Sequence, residues 1–129
     1  MGNDANGISG KPTVLVVDDD PLVRNMIADM LRFGGFHALE AAGGAQALHL
    51  LANGQSVAAI VTDVCMPLMD GVALSHRVRA VHPEMPIVLV SGDMRPDAAL
   101  LPVGTRYIHK PPRLRDLVAT VVEAIDSHS

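Results

Sequence analysis

An α/β doubly wound fold, with a five-stranded parallel sheet and helices on both faces, is what this sequence predicts, and three observations carry it. Short β-branched runs alternate with amphipathic stretches from Pro12 to the end of the chain. One of those runs, VAAIVTD, is apolar at consecutive positions, as expected of a strand buried on both faces. The polar residues that carry chemistry fall where the runs stop. In an open parallel sheet with right-handed crossovers, that edge is where the ligand crevice lies.

The elements follow in order. Residues 1–11 (MGNDANGISGK) are Gly- and Asn-rich without periodicity and read as a loose arm. The first strand is 13–17. A helix over 21–33 follows, with Asp20 as its cap and Pro21 at its first position. Leu22, Met26, Ile27, Met30 and Leu31 recur on one face at helical spacing, and Gly34-Gly35 ends the helix. Strands are expected over 36–41, 57–62, 86–91 and 105–109, and further helices over 44–53, 71–81 and 114–125. Between the last two strands Pro96 and Pro102 bracket only DAALL. Proline is accepted in a helix's first turn and stops it inside, so the fourth helical piece, near 96–101, is shortened to a turn or two. With no internal repeat and no linker, the chain reads as one domain over 12–126 with a tail at 127–129.

Composition narrows the classes. The chain has 129 residues, enough for one ordinary domain and too few for two well-packed ones. It is 49% hydrophobic with no Trp, one Tyr and two Phe, so the core must come from Val, Leu, Ile, Ala and Met. A net charge of −4 argues against non-specific nucleic-acid binding, which wants a basic face. The one cysteine, Cys65, rules out an intrachain disulfide and fits a reducing cytosol. No apolar run is long enough to span a bilayer, and the start lacks a charged-then-apolar signal pattern. Met1-Gly2 begins like a myristoylation site, but Asn6 stands where Ser or Thr is needed. The expectation is a cytoplasmic protein with no nucleic-acid or membrane partner.

The strand ends carry a coherent set of side chains. The first run ends in Asp18-Asp19-Asp20, the third in Asp63, the fourth in Ser91-Gly92-Asp93 and the fifth in His109-Lys110-Pro111. Carboxylates gathered on one edge repel each other unless a cation joins them, and a few oxygen ligands with room for water suit Mg²⁺. Asp63, at the end of a central strand, can serve as ligand and nucleophile. An aspartate forms an acyl phosphate when metal and positive charge neutralise the incoming phosphoryl oxygens. Lys110 supplies a flexible ammonium for that purpose. The Ser91 hydroxyl and nearby backbone N–H groups can bind the remaining oxygens.

The stretches VLVVDDDP, TDVCMPLMDG, VLVSG and HKPP, in this order, resemble the motifs of response-regulator receiver domains, over roughly residues 12 to 126. The resemblance implies a flavodoxin-like strand order 2-1-3-4-5. It makes Asp63 the phosphoacceptor, Asp19 the direct metal ligand, Asp18 a ligand acting partly through water, and the Cys65 backbone carbonyl a further ligand. It places Ser91 and Lys110 at the phosphoryl-binding positions, Tyr107 at the aromatic switch position, and a cis bond between Lys110 and Pro111. It also implies a sensor histidine kinase or histidine phosphotransfer protein as donor, and an unknown downstream protein as reader. The activity would be limited to autocatalytic phosphoryl acceptance and autodephosphorylation. No output domain follows the last helix, so a stand-alone receiver, or one excised from a longer protein, is expected. The shortened fourth helix resembles receivers associated with hybrid sensor kinases.

Blander roles are assigned where they fit. Asp20 is a helix cap rather than a ligand, and Cys65 a small filler whose thiol is idle. His37, His49, His76, His82, His109 and His128 lack metal-ligand spacing and read as surface residues. The methionines serve core packing and a flexible loop near 66–69, while Asp116 and Glu123 belong to a solvated helix face. Pro112 follows Pro111 where the family commonly has an apolar residue, so a packing anchor is expected to be missing. The rival reading is a receiver fold used as a scaffold and never phosphorylated; the complete acidic and lysine set speaks against it. An aspartyl phosphatase on another doubly wound fold is more distant. It would need a second carboxylate two residues beyond the nucleophile, where Cys65 stands, and a substrate cap.

Overall fold

The computed structural model describes residues 10–92 and 95–127. Residues 1–9 of the expected arm, Asp93, Met94, and His128 with the end of the tail lie outside them. Its strands are β1 (Thr13–Val17), β2 (His37–Ala41), β3 (Ala59–Asp63), β4 (Ile87–Ser91) and β5 (Arg106–His109). They form one parallel sheet in the order β2-β1-β3-β4-β5, as the resemblance implied. The helices are α1 (Pro21–Phe33), α2 (Gly44–Ala52), α3 (Gly71–Val81) and α4 (Leu114–Asp126).

The alternation of side chains along the strands divides the core in two. Val14, Val16, Val61, Val88 and Val90 point to one face and pack with Ile27 and Leu31 of α1 and Leu117 and Val121 of α4. Leu15, Val17, Ile60, Ile87 and Leu89 point to the other and pack with Ala47 of α2 and Leu74 and Val78 of α3. Both faces of β3 and β4 are therefore covered, which is why their sequences are continuously apolar. Burying a Val, Leu or Ile side chain contributes about 1.5–3 kcal/mol, so this double layer fixes the strand register. Register in turn brings the strand ends to one rim.

Several expectations are refined or corrected. The fourth helical piece is short, as expected, and takes the form of a three-residue 3₁₀ turn, Ala98–Leu100, which leaves four α-helices among the described residues. The Asp97 carboxylate accepts the Ala99 N–H at 3.0 Å, and an imidazole nitrogen of His76 lies 2.6 Å from the Leu100 carbonyl. Those bonds, rather than helical propagation, hold the segment. On α1 the buried residues are Ile27, Ala28 and Leu31, while Leu22 is 82% exposed and Met26 37%. Leu22 stands nine residues, about 180° of helix, from Leu31 and so faces away from the core, while Val23 in the same turn packs against it. Asp20 caps α1 as expected, its carboxylate accepting the Leu22 N–H at 3.0 Å. Cys65 is exposed and fills no space, and Met66 is buried, anchoring the loop expected to be flexible. Pro112 is buried, so the second proline of the pair restores an apolar contact instead of removing one. His82 is half-buried, and Glu123 pairs with Arg106 at 3.7 Å.

Candidate functional site

Asp63 is the last residue of β3, a central strand, with its Cα paired to Val90 of β4. Asp18 follows β1 directly, and its backbone N–H is bonded to the Ala41 carbonyl of β2 at 3.2 Å. Lys110 follows β5, its N–H donating to the Ser91 carbonyl at the end of β4 at 2.8 Å. Each functional side chain thus sits at the point where a strand stops and the chain is released from its ladder. The peptide bond from Lys110 to Pro111 is cis, as the resemblance implied.

Three carboxylates meet here. One oxygen each from Asp18, Asp19 and Asp63 lies within 4.8 Å of the others. Asp18 is 1% exposed and Asp63 9%, so two of the three are withdrawn from water. The Lys110 ammonium lies between them, 3.1 Å from Asp18 Oδ2 and 3.3 Å from Asp63 Oδ1. Asp18 Oδ1 accepts the Asp20 N–H at 2.9 Å.

The charges do not balance. Burial raises the Asp63 carboxyl above the ordinary carboxylate range, and the neighbouring Asp18 charge raises it further; Lys110 and the Val64 N–H oppose them without cancelling them. Lys110 is affected the other way. Burial alone would lower its value, but the hydrogen bond and charge of Asp18, then those of Asp63, outweigh it and hold the ammonium above its usual range. A site with three carboxylates and one ammonium has room for additional positive charge. The donors are hard oxygens on a concave rim, which is the set a Mg²⁺ ion takes.

The other expected residues lie close by. Ser91 is 1% exposed, and its carbonyl accepts the Tyr107 hydroxyl at 3.3 Å. Tyr107 is half-buried, packed against the α2–α3 side of the core, and the Arg95 guanidinium carbon lies 5.3 Å from its ring centroid. Cys65 lies two residues past Asp63, in the loop before α3.

Three contributors had no role in the expectations. The Thr62 hydroxyl donates to the Asp63 carbonyl at 3.0 Å. A Cβ at Gly71 would collide with that same carbonyl oxygen, so only glycine lets α3 start this close to the Asp63 backbone. Arg24 donates through Nη1 to the Asp18 carbonyl at 3.0 Å. The Asp70-Gly71 dipeptide could have marked a close approach; nothing in the spacing marks Arg24.

Comparison with known proteins follows from this geometry. Residues 14–122 match the family model described as "Response regulator receiver domain". The chain is 36% identical over 126 residues to "Sensor kinase CckA" of Brucella abortus (strain 2308), covering 95% of this chain and 13% of that protein. It is 37% identical over 113 residues to "Transcriptional regulatory protein PrrA" of Mycobacterium tuberculosis (strain ATCC 25618 / H37Rv), covering 85% of this chain and 48% of that one. The chain therefore spans half or less of these relatives' length. Among solved structures, the receiver domain from the hybrid histidine kinase CckA superposes with a TM-score of 0.74 at 29% identity, covering 88% of this chain and 98% of that one.

Proposed function

The chain belongs to the response regulator receiver domain family, and from that premise we propose that it is a phosphoacceptor switch whose Asp63 carboxylate takes a phosphoryl group from phosphohistidine. The observation that carries this reading is the buried Asp63 carboxylate with Lys110 at 3.3 Å and two further carboxylates within 4.8 Å. The donor would be a sensor histidine kinase or a histidine phosphotransfer protein, a reading supported by the similarity to the receiver of a hybrid kinase. Among the described residues no helix is long and apolar enough to cross a membrane, and a cytoplasmic setting fits the single free cysteine.

Asp18, Asp19 and Asp63, with the Cys65 carbonyl, would hold Mg²⁺, which supplies positive charge for the phosphoryl oxygens when bound. The chain's own residues do the rest. An Asp63 carboxylate oxygen attacks phosphorus as the N–P bond of the partner's phosphohistidine breaks, and the electron pair leaves with the imidazole. Lys110, already between Asp18 and Asp63, neutralises a phosphoryl oxygen without a large movement. Incubation with phosphoramidate and Mg²⁺ should add one phosphoryl mass to the intact protein, and EDTA should prevent it. Labelling that proceeds equally in EDTA would overturn the reading.

Ser91 and Tyr107 would report the event. The Ser91 hydroxyl would turn to a phosphoryl oxygen and loosen the Tyr107 hydroxyl from the Ser91 carbonyl, shifting the population of a two-state surface. Among the described residues after Ser91, the stretch 95–102 has no regular element beyond its 3₁₀ turn, so it should respond most. Beryllofluoride should therefore change amide shifts over residues 95–102 more than on α1. Ser91→Ala should still take the phosphoryl group while showing a much smaller change there. Equal changes in wild type and Ser91→Ala would remove Ser91 from the switch.

A further inference from the structure

Asp18 and Asp63 are each fixed by a strand end and by Lys110, but Asp19 has no such support. It is exposed, and among the described residues no hydrogen bond or ion pair holds its side chain. Its placement is inherited from the peptide that joins it to Asp18. The plane of that peptide decides whether the Asp19 carboxylate faces the other two or swings out to solvent.

The carbonyl of that peptide is held. Arg24, from the first turns of α1, donates Nη1 to the Asp18 oxygen at 3.0 Å, and its Nε donates to Glu40 Oε1 at 3.1 Å. Glu40 lies in β2 paired with Val16 of β1, two residues before Asp18. The Arg24 side chain is 20% exposed and that of Glu40 26%, so the pair is partly screened from water. A planar guanidinium is suited to bridging two acceptors in a fixed fork; an ammonium is a single point. Arg32 adds a second contact to Glu40 at 3.4 Å, which steadies the carboxylate.

We propose that Arg24, neutralised by Glu40, is a positioning residue that fixes the Asp18–Asp19 peptide so that the Asp19 carboxylate faces the cation site. The inference rests on the metal-assisted phosphoacceptor reading above. It also assigns a role to Glu40. A bare guanidinium beside a divalent-cation site would repel the ion, and the Glu40 carboxylate cancels that charge while holding the fork in place.

The sign of the effect separates positioning from electrostatics. If Arg24 acted only through its charge, removing it would tighten Mg²⁺ binding. If it positions Asp19, removing it weakens binding. Partners that orient metal ligands are typically worth about 10- to 100-fold in affinity. Calorimetric Mg²⁺ titration of the full chain should therefore show Arg24→Met weaker than wild type by about tenfold, with Arg24→Lys between them. In metal-free protein the Asp19 and Asp20 amide signals should shift in Arg24→Met while the rest of the sheet stays in place. An unchanged or tighter Mg²⁺ affinity in Arg24→Met overturns the inference. Should Arg24→Met fail to fold, Glu40→Gln carries the test: it loosens the fork and uncovers the charge, so unchanged Mg²⁺ affinity there overturns it equally. A wild type that binds no Mg²⁺ fails the phosphoacceptor reading and this inference with it. A wild type that binds Mg²⁺ as tightly as Arg24→Met fails this inference alone.

Discussion

Asp63→Asn should abolish phosphoryl uptake and, in metal-free buffer at neutral pH, raise thermal stability above that of wild type. The first effect is total because the amide has no nucleophilic oxygen of comparable strength and contributes no charge to the cation site. The second follows from the direction of the carboxyl's shift. Burial and the Asp18 charge raise the Asp63 value above its ordinary range, so the folded state binds this proton more tightly than the unfolded chain does. Stability then falls as pH rises through the folded-state value, and above it the whole cost of the buried charge is present. Asparagine does not carry that cost. Its advantage over wild type should be full at neutral pH and fade as pH is lowered and the wild-type carboxyl takes up its proton. For a domain of this size, each 1 kcal/mol reads as roughly 4 °C in Tm. Added Mg²⁺ should reverse the order, since an ion bound only by the folded wild type stabilises it by mass action, about 2.7 kcal/mol at a hundred times Kd. A Tm for Asp63→Asn below wild type at neutral pH without metal would show that Lys110 dominates the site after all.

How much of this was legible before the fold was known can be judged residue by residue. The strand ends were legible, because an apolar run that stops at a polar residue gives both the strand and its rim. Asp18, Asp19, Asp63 and Lys110 are brought together as the strand order demanded. The shortened piece between the prolines was legible too, since proline geometry is local, although its final form as a 3₁₀ turn was not. Faces were harder. The apolar set from Leu22 to Leu31 spans about 180° of α1, and residue type alone does not say which edge of that arc meets the sheet; Leu31 is buried and Leu22, opposite it, is exposed. Cys65 and Pro112 failed for the same reason: size and polarity do not say which side of a loop meets the core. The contact of Arg24 with Glu40 and the Asp18 carbonyl needs the register of β1 against β2, which no spacing within either segment encodes.

Lys110→Ala should be the most damaging single change within this site to the metal-free protein while leaving phosphoryl acceptance partly intact. In wild type the ammonium touches both buried carboxylates, at 3.1 and 3.3 Å. Removing it leaves Asp18, 1% exposed, and Asp63, 9% exposed, facing each other with no counter-charge among the side chains bonded to them. Breaking a buried ion pair by deleting one partner typically costs about 3–5 kcal/mol. The lower end applies here because the Lys110 side chain is 20% exposed and water can partly replace it. The proton balance gives a second signature. The Lys110 value is raised, so its stabilisation is present throughout the neutral range and is lost only as pH climbs through that raised value. Wild type should therefore lose its advantage over Lys110→Ala in strongly alkaline buffer and not near neutrality. Mg²⁺ should rescue the variant more than it stabilises wild type, because the ion meets two carboxylates no longer shared with an ammonium. Phosphoramidate should still label it, since Asp63 and the other carboxylates remain. The beryllofluoride response over residues 95–102 should collapse, because the group that draws the phosphoryl oxygen toward β5 is gone. A variant as stable as wild type without metal would show that the two carboxylates share a proton instead, and that the ammonium is not what holds them together.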